Sequence, residues 1–563
     1  MVGRLFTLLH REIRGLHEAA YLLGVFAILS QILALTRDRL LAAHFGAGAT
    51  LDTYYAAFRL PDFIFVSVAS LVSLYVLIPF LSEIPEGQGE KQRAFLSRIV
   101  SFFTFLIIGA SAIAFLLAPV LLRALFPGFD AAHFNELVLL TRILLLQPIF
   151  LGLSNIAASV TQLHGRFVLY AITPLFYNLG IIAGVLWLYP IFGIMGLGMG
   201  VVLGAMLHLG IQIPFIVRHK VFPRLTLSFN GTELRRLLAL SIPRTIALSA
   251  NQIALLALTG FASLQASGAI TTFNFSFNLQ SVPLSIIGIS YSVAAFPTLA
   301  RLFSSGVHQE FLAHITAAAR HIIFWSTPAM VLCIVLRAQI VRVVLGSGQF
   351  NWEDTRLTAA ALALFAISIV AQGLVLLFVR GFYAAGNTRT PLIVNSICSM
   401  LVIAFGFLFL NIFSTVPTFR FFMESLLRVE DLPRTGMLML PLAYSLAAIV
   451  NVLALWTLFR RHFKGFQMQI ARSFLESFAT SMVMGFVAYE CLTIFGRIFD
   501  LNQFLGIFAQ GFFSGLLGII AGTTLLWVLG NAEAREVKSA LHKKFWKSRT
   551  LAAETPDPST LIS

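Results

Sequence analysis

Six charged side chains lie within residues 34–62 of a chain that is otherwise strongly apolar. They are Arg37, Asp38, Arg39, Asp52, Arg59 and Asp62. Because a charge at the middle of a bilayer costs at least about 2.5–3.5 kcal/mol, such residues usually face a cavity or one another. From Asp52 to Tyr55, Arg59 and Asp62 the spacings are 3, 4 and 3 residues, which on a helix makes one polar stripe. A glycine turn at 45–48 precedes the stripe, so we expect two helices that direct acids and arginines into a shared space.

A purely structural role is the alternative for the same residues. Asp is a preferred helix cap, so Asp52 is also placed to cap the helix that follows the turn. Arg37 and Asp38 are equally able to pair at the headgroup level of a membrane. The clustering of charge in a chain of which 11% is charged favours a functional site.

Apolar segments of bilayer length surround this stretch. Of the 563 residues 58% are hydrophobic, and the mean hydropathy is +0.88, whereas soluble domains are about half apolar and about a quarter charged. The composition predicts an all-α polytopic membrane protein. The net charge of +15 comes from basic residues scattered through short loops, which is typical of positive-inside topology and not of nucleic-acid binding. The three cysteines stand singly in apolar segments, so we expect no metal site and no cofactor.

A membrane span needs about 20 residues, and the apolar runs predict fourteen transmembrane helices. They lie at about 19–45, 50–83, 95–126, 135–163, 167–189, 191–217, 238–263, 268–302, 311–336, 355–384, 387–414, 437–460, 473–495 and 504–530. The first run has no cleavage site, so it is expected to be a helix and not a signal peptide. Every lysine falls in loops of one side or in the C-terminal tail, which predicts that both termini are cytoplasmic.

Three segments outside the spans have predictions of their own. Residues 1–18 are basic and amphipathic and are expected to lie on the inner leaflet. The loop 415–436 is expected to form a short amphipathic helix at the outer surface. The tail 531–563 is expected to begin with a basic helix at 533–547 and to end in a disordered segment.

The chain also matches itself at an offset near 219 residues. ATLDTYYAAFRL (49–60) aligns with GAITTFNFSFNL (268–279), so that Asp52 aligns with Thr271 and Arg59 with Asn278. The repeat divides the chain into an N-lobe (19–217), a basic linker (218–237), a C-lobe (238–460) and two further helices (461–530). Six helices per copy make the repeats parallel, an architecture in which transporters place substrate between the halves.

The two copies differ in charge. Where the N-lobe has Asp52, Arg59 and Asp62, the C-lobe has neutral polar residues, among which the amides are Asn251, Gln252, Asn274, Asn278 and Gln280. One charged wall and one amide wall suit an anionic head group such as a phosphate with sugars, because arginine binds phosphate and amides bind hydroxyls. The alternative for the amides is a role in helix–helix packing.

The stretch TRDRLLAAHFGAGATLDTYYAAFRLP (36–61) resembles the signature of the MurJ (MviN) lipid II flippases of the MOP exporter superfamily. The resemblance covers about 19–530 and includes the fourteen-helix, six-plus-six pattern. It implies a flippase of the bacterial inner membrane that moves a polyprenyl diphosphate-linked peptidoglycan precursor from the inner to the outer leaflet by alternating access. It also implies that Arg37 is a cavity arginine, that Asp52 is its matching acid, and that the lipid tail lies beside helices 13 and 14.

The chain departs from that family pattern at several basic positions. Gln31 stands where the family has an arginine, Asn278 replaces another, and Phe65 and Val66 replace a basic pair. The predicted cavity is therefore less cationic than in a typical member. Another lipid-linked oligosaccharide, or a drug or cation exchanged by a MATE-like antiporter, remains the alternative substrate.

The candidate site residues follow from the stripe, the repeat and the resemblance. The substrate-binding candidates are Arg37, Arg59, Asn278, Asn274 and Gln31, and the gating or ion-pair candidates are Asp38, Asp52, Asp62 and Arg39. We expect Asp38 and Asp52 to pair with the arginines when no substrate is bound. The expected partners are the lipid-linked anionic glycan and membrane lipids, with the protein active as a monomer.

Two other functional classes have weaker support in the sequence. A membrane-embedded enzyme would need a catalytic histidine, an acid pair or a metal cluster, whereas the histidines here are dispersed without such spacing. A scaffold that recruits partners through its tail would lose its function when 531–563 is deleted.

Overall fold

The computed structural model describes residues 16–69, 71, 89–163, 166–218, 225–226, 231–466 and 471–546. Nine α-helices are described up to residue 218: α1 (Leu16–Phe45), α2 (Ala49–Ala69), α3 (Gly89–Leu125), α4 (Ala131–Leu144), α5 (Gln147–Leu163), α6 (Phe167–Ala183), α7 (Tyr189–Phe192), α8 (Ile194–Gly210) and α9 (Ile213–Arg218). A π-helical segment, Gly184–Leu188, joins α6 to α7. Most of the segment 1–18 and much of the predicted linker lie outside the described residues.

The rest of the described chain is also helical. It contains α10 (Gly231–Ser263), α11 (Ala269–Leu284), α12 (Ser290–Ser304), α13 (His308–Val335), α14 (Arg337–Val344), α15 (Trp352–Ala366), α16 (Ile369–Ala384), α17 (Arg389–Thr415), α18 (Pro417–Leu427), α19 (Met439–His462), α20 (Ala471–Phe495), α21 (Phe504–Val528) and α22 (Ala532–Trp546). A π-helical segment, Ser285–Ile289, lies between α11 and α12, and a 3-10 turn, Thr435–Leu438, precedes α19.

The all-α polytopic fold is confirmed. Among the described residues, 11 helices are long and apolar enough to cross a membrane, or 12 if α15 and α16 together make one span. The charged helices α1 and α2 are not among these spans, yet they occupy the first two predicted positions. The total of fourteen stays a prediction. The predicted outer helix is present as α18, and the described part of the tail forms α22.

Three of the predicted helices are interrupted in the structure. The one predicted at 191–217 is divided by a turn between α8 and α9, and the one predicted at 135–163 is divided into α4 and α5, although each still counts as one candidate span. Pro148 lacks an N–H and clashes with the carbonyl four residues earlier, so the first piece ends at Leu144. The one predicted at 355–384 bends by 42° between α15 and α16. There the hydroxyl of Ser368 donates to the carbonyl of Phe365 at 2.6 Å and so competes with the helical hydrogen bonds.

The buried apolar residues form cores that show how the lobes meet. One core contains residues of both lobes, for example Leu51 and Tyr54 with Phe273 and Phe365, and lies at the end of the molecule that carries the 46–48 turn. Toward the opposite end the buried cores are separate, one from α2, α3 and α5 and the other from α12, α13, α16, α17 and α19. The lobes are therefore packed together at the turn end and have cores of their own at the other end.

One seam between the lobes continues toward that second end. The hydroxyls of Ser67 in α2 and Ser249 in α10 are 2.9 Å apart, and the Ser241 hydroxyl donates to the carbonyl of Leu71 at 2.7 Å. The seam between α2 and α10 thus holds the lobes along one side, while the first half of α1 presents exposed apolar residues such as Val25 and Ile28.

Candidate substrate site and lobe interface

The turn between α1 and α2 lies directly against the C-lobe. Gly46 has φ +61°, and a Cβ there would stand 2.8 Å from the carbonyl oxygen of Gln349. The N–H of Gln349 donates to the carbonyl of Ala43 at 2.9 Å. Gly268 of the C-lobe has φ +92°, and its Cβ would stand 2.2 Å from the carbonyl oxygen of Ala47. Only glycine permits both the positive φ and this close contact of backbones, which closes the turn end.

Asp52 joins the two lobes by capping a helix of the opposite lobe. Its Oδ2 accepts a hydrogen bond from the N–H of Gly268 at 2.6 Å, and its Oδ1 accepts from the N–H and the hydroxyl of Thr271 at 2.8 and 2.7 Å. The first N–H groups of a helix lack intrahelical partners and favour a negative charge. The expected pairing of Asp52 with an arginine is therefore wrong, because α11 occupies both of its oxygens.

Arg434 reaches the same place from the segment after α18. Its Nη1 donates to the carbonyls of Ala47 at 3.0 Å and Ser267 at 2.8 Å, and its Nη2 is 3.3 Å from Asp354 Oδ1. The other oxygen of Asp354 accepts from the N–H of Ala47 at 3.1 Å. We call Arg434, Asp354 and the backbone of Ala47 the latch. It fastens the N-lobe turn to the C-lobe, and no pattern in the sequence predicted it.

Arg37 and Asp38 form an ion pair on α1. Arg37 Nη2 lies 2.7 Å from Asp38 Oδ1, and Arg37 Nη1 donates to Asn178 Oδ1 in α6 at 3.0 Å. The second oxygen of Asp38 accepts from Nδ2 of Asn278 in α11 at 3.0 Å. The N-lobe therefore holds Arg37, while Asp38 connects this pair to the C-lobe. The pairing of Asp38 with Arg37 agrees with the expectation.

Arg59 is held across the interface by an amide. Its Nη2 donates to Oδ1 of Asn274 at 2.6 Å, and Asn274 is itself fixed by a hydrogen bond to the carbonyl of Ile270 at 2.7 Å. The Nε of Arg59 and the hydroxyl of Tyr55 are buried and have no partner among the described residues. A buried donor without a partner costs about 1–3 kcal/mol. A ligand with acceptor oxygens would satisfy both groups.

One face of α11 therefore meets three charged residues of the N-lobe. Thr271, Asn274 and Asn278 are spaced 3 and 4 residues apart, which places them on one side of a helix. Thr271 contacts Asp52, Asn274 contacts Arg59, and Asn278 contacts Asp38. Because Asp52 and Thr271 are equivalent positions of the repeat, their contact lies where the two copies face each other.

The sequence also matches a known protein family. A sequence model described as "Lipid II flippase MurJ" matches residues 41–509, which is most of the chain. The chain belongs to the lipid II flippase MurJ family. The probable lipid II flippase MurJ of Buchnera aphidicola is 27% identical over 377 residues, which are 66% of this chain and 73% of that protein. The lipid II flippase MurJ of Burkholderia cenocepacia is 24% identical over 386 residues, which are 67% of this chain and 75% of that protein.

Solved structures agree with this family at the level of the fold. The structure titled lipid II flippase MurJ, inward closed conformation, superimposes with a TM-score of 0.72 at 23% identity, over 90% of this chain and 99% of that chain. An inward-facing multidrug resistance MATE family transporter of the MOP superfamily superimposes with a TM-score of 0.64 at 13% identity, over 78% of this chain and 96% of that chain. The MurJ family fold and the MATE fold are thus variants of one architecture, and the family match decides between them.

The remaining predicted site residues have different surroundings. Asp62 accepts a long hydrogen bond, 3.4 Å, from Nε2 of Gln147. The guanidinium of Arg39 donates to the carbonyl of Val343 and lies 5.0 Å from the ring centroid of Phe504. Arg39 thus packs against the C-lobe and α21 without an ion pair among the described residues. Gln31, two turns before Arg37 on α1, is half-buried.

The tail helix α22 is fastened to the C-lobe by a buried carboxylate. Oε1 of Glu533 accepts hydrogen bonds from Nε of Arg320 and from the Ser473 hydroxyl, both at 2.7 Å. Burial alone would raise the pKa of Glu533, but these hydrogen bonds outweigh it and hold the pKa below its ordinary value. The ionised carboxylate therefore connects α22 to α13 and α20.

Proposed function

We propose that this chain flips lipid II, or a closely related polyprenyl diphosphate-linked glycan, from the inner to the outer leaflet. The family match over residues 41–509 carries the proposal, since relatives in that match bear the name lipid II flippase. Two arginines support it: Arg59 is held across the lobe interface by an amide, and Arg37 is held within the N-lobe by an amide and a carboxylate. An anionic substrate can displace these amides and the carboxylate from the arginines, as it must in a site that binds and then releases it.

We also propose the orientation and state of the molecule. The positions of the lysines support cytoplasmic termini in a bacterial inner membrane, and with that orientation the 46–48 turn and the latch lie on the outer side. The lobes share a core at that outer end and have separate cores at the inner end. This is the arrangement of a transporter closed to the outside. We propose that the N-lobe is 19–217, that the C-lobe is 238–460, and that a single copy is active.

The proposed mechanism is an exchange of partners at the arginines. Among the described residues, the buried Nε of Arg59 has no partner, and its Nη2 contacts the amide of Asn274. A diphosphate offers several acceptor oxygens and bidentate geometry, so it would replace the amide and draw Arg37 away from Asp38. Contacts at Asn274 and Asn278 that hold the lobes together would then be lost. A ligand that binds one arrangement better than the other shifts the lobe equilibrium toward it.

Flipping of fluorescent lipid II in proteoliposomes tests this proposal. Arg59→Gln and Arg37→Gln should each lower the rate at least about 10-fold, because each removes charged hydrogen bonds worth about 1.5–3 kcal/mol. Arg472→Gln is the control, since the side chain of Arg472 is exposed and, among the described residues, pairs with Glu476 one turn later on α20. Export of cationic drugs without lipid II flipping would instead favour the MATE-like alternative. Normal flipping in both test variants would refute the assigned roles.

A further inference from the structure

A cavity of about 610 Å³ lies inside the C-lobe, between α10, α11, α12, α16, α17 and α19. Arg37 and Arg59 are not among the residues that line it. Its polar lining includes Asn251, Gln372, Arg380, Asn395, Tyr444 and Asn451. None of the described lining residues is an aspartate or glutamate. Because hard cations are held mainly by carboxylate and carbonyl oxygens, a described wall without an acid suits a neutral or anionic ligand better than a cation.

Two asparagines form the polar edge of the cavity. Nδ2 of Asn451 donates to Oδ1 of Asn395 at 3.2 Å, while Oδ1 of Asn451 is buried without a partner among the described residues. Each amide can donate two hydrogen bonds and accept two, so the pair has unused capacity. A hydroxyl or amide N–H of a ligand, or a water molecule, could donate a hydrogen bond to this buried oxygen of Asn451.

A second polar group is already fixed in place. Nε2 of Gln372 donates to the Ser368 hydroxyl at 2.7 Å, and its Oε1 accepts from the hydroxyl of Tyr444 at 3.4 Å. The ring of Tyr444 packs edge-on against Phe277 and Phe365, each at 5.6 Å between centroids. Gln372 and Tyr444 are therefore held in position before any ligand arrives, which limits the entropy lost on binding.

The rest of the lining is apolar. Leu284, Phe296, Val375 and Leu376 line the cavity together with the amides. Ligand sites of about 300–1,000 Å³ typically combine apolar walls with a few placed polar groups. A pyranose ring has the matching chemistry, since it presents C–H groups on its faces and hydroxyl or acetamido groups around its edge.

The cavity lies toward the end where the lobes have separate cores. Arg380 and Tyr383 come from the last turns of α16, and Asn395 comes from the second turn of α17, so all three are close to the 385–388 connection. Topology places that connection on the same side as the lysine-bearing loops. Asn251 is exposed, so the cavity is open to a ligand. A head group that arrives from the cytoplasmic side would reach it directly.

We propose that this C-lobe cavity binds the saccharide part of the lipid-linked substrate, while Arg59 at the lobe interface binds the diphosphate. The proposal rests on the proposed function. It assigns recognition of the glycan to Asn395, Asn451 and Gln372. Gln372 is linked to the interface helix, because its Nε2 lies 3.3 Å from Oε1 of Gln280 in α11.

The test compares lipid II with a lipid that has the same polyprenyl diphosphate but lacks the glycan and its attached peptide. Binding of lipid II and of undecaprenyl diphosphate is measured by titration of the full-length protein in lipid nanodiscs. Asn395→Leu and Asn451→Leu should each weaken lipid II binding about 10-fold, equivalent to about 1.4 kcal/mol, and leave undecaprenyl diphosphate within about 2-fold. Asn411→Leu is the matched control, because Asn411 is an exposed residue of the same helix as Asn395 and lies outside the cavity.

Each outcome decides between the proposals. Unchanged lipid II binding, or equal weakening of both lipids, overturns the saccharide site. A parent protein that binds both lipids equally well also overturns it, whereas a parent that binds neither overturns the proposed function. Val375→Phe fills the cavity and keeps the amides, so it should show the same selective loss even if the asparagine variants fail to fold.

Discussion

Arg434 offers a direct test of how the turn end is kept closed. Only two bonds of the latch cross between the lobes: Arg434 Nη1 to the Ala47 carbonyl, and the Ala47 N–H to Asp354. The bonds of Arg434 to Ser267 and Asp354 lie within the C-lobe and persist in any arrangement of the lobes. Arg434→Gln removes one charged bond across the interface. A hydrogen bond to a charged group is worth about 1.5–3 kcal/mol, so the closed state should lose about 2 kcal/mol, or about 30-fold in its equilibrium constant.

Distances between spin labels measure this equilibrium. Labels at Ala131→Cys and Glu353→Cys would stand at exposed positions on either side of the closed end. The three native cysteines, Cys333, Cys398 and Cys491, are replaced first. Arg434→Gln should add a population at longer distance that the parent lacks.

The matched control is Arg420→Gln in the same loop region. Arg420 pairs with Glu424 at 3.0 Å within α18 and does not contact the N-lobe turn. A parent-like distance distribution in Arg434→Gln would refute the latch. The same shift in both variants would show instead that a disturbed 415–436 segment opens the end without any specific role for Arg434.

Two further predictions concern buried carboxylates. Asp52→Ala removes three hydrogen bonds from the start of α11, so the closed state should lose about 2–3 kcal/mol of stability. This loss is measured as a lower melting temperature. Asp62→Ala is the control and should lower the melting temperature less, because Asp62 accepts one long hydrogen bond. Glu533→Gln should release α22 at neutral pH, read as faster amide hydrogen exchange in that helix. Lys538→Gln, which alters an exposed side chain of the same helix, should not. The pKa of Glu533 is lower in the folded protein than its ordinary value. The carboxylate therefore stabilises the attachment of α22 fully above the ordinary carboxyl pKa, and this stabilisation is lost as the pH falls through the lowered pKa. The parent protein should release α22 only in acid.

Local patterns predicted the elements of the site more accurately than its contacts. The spacing from Asp52 to Asp62 gave α2 its polar stripe, and the glycine turn before it is present with Gly46 at positive φ. The repeat aligned Asp52 with Thr271, and these two residues are bonded to each other. Asp52 does cap a helix, but that helix is α11 of the opposite lobe and not α2, which follows the turn. A cap supplied from the opposite lobe depends on tertiary packing, which local sequence does not contain.

The latch shows the same limit more clearly. Arg434 and Ala47 are 387 residues apart, and Asp354 and Ala47 are 307 apart. In the sequence, Arg434 stands among loop charges of both signs and gives no sign of a distant partner. The amide Asn178, which holds Arg37, lies in an apolar helix with no charged neighbour to draw attention to it. No spacing rule connects residues that meet only because two lobes pack at one end.

The helix α11 links the interface to the cavity of the C-lobe. On one face Asn274 and Asn278 hold Arg59 and Asp38, and elsewhere on the helix Gln280 contacts Gln372 at the cavity wall. Packed helices move as units. If separation of the lobes shifts α11, it must therefore also shift Gln280, whose side chain contacts Gln372. A glycan that binds the cavity better in one lobe arrangement therefore favours that arrangement, and by linkage the arrangement changes the glycan affinity by the same factor. Opening the latch should accordingly alter lipid II affinity more than undecaprenyl diphosphate affinity, although Arg434 is not among the residues that line the cavity.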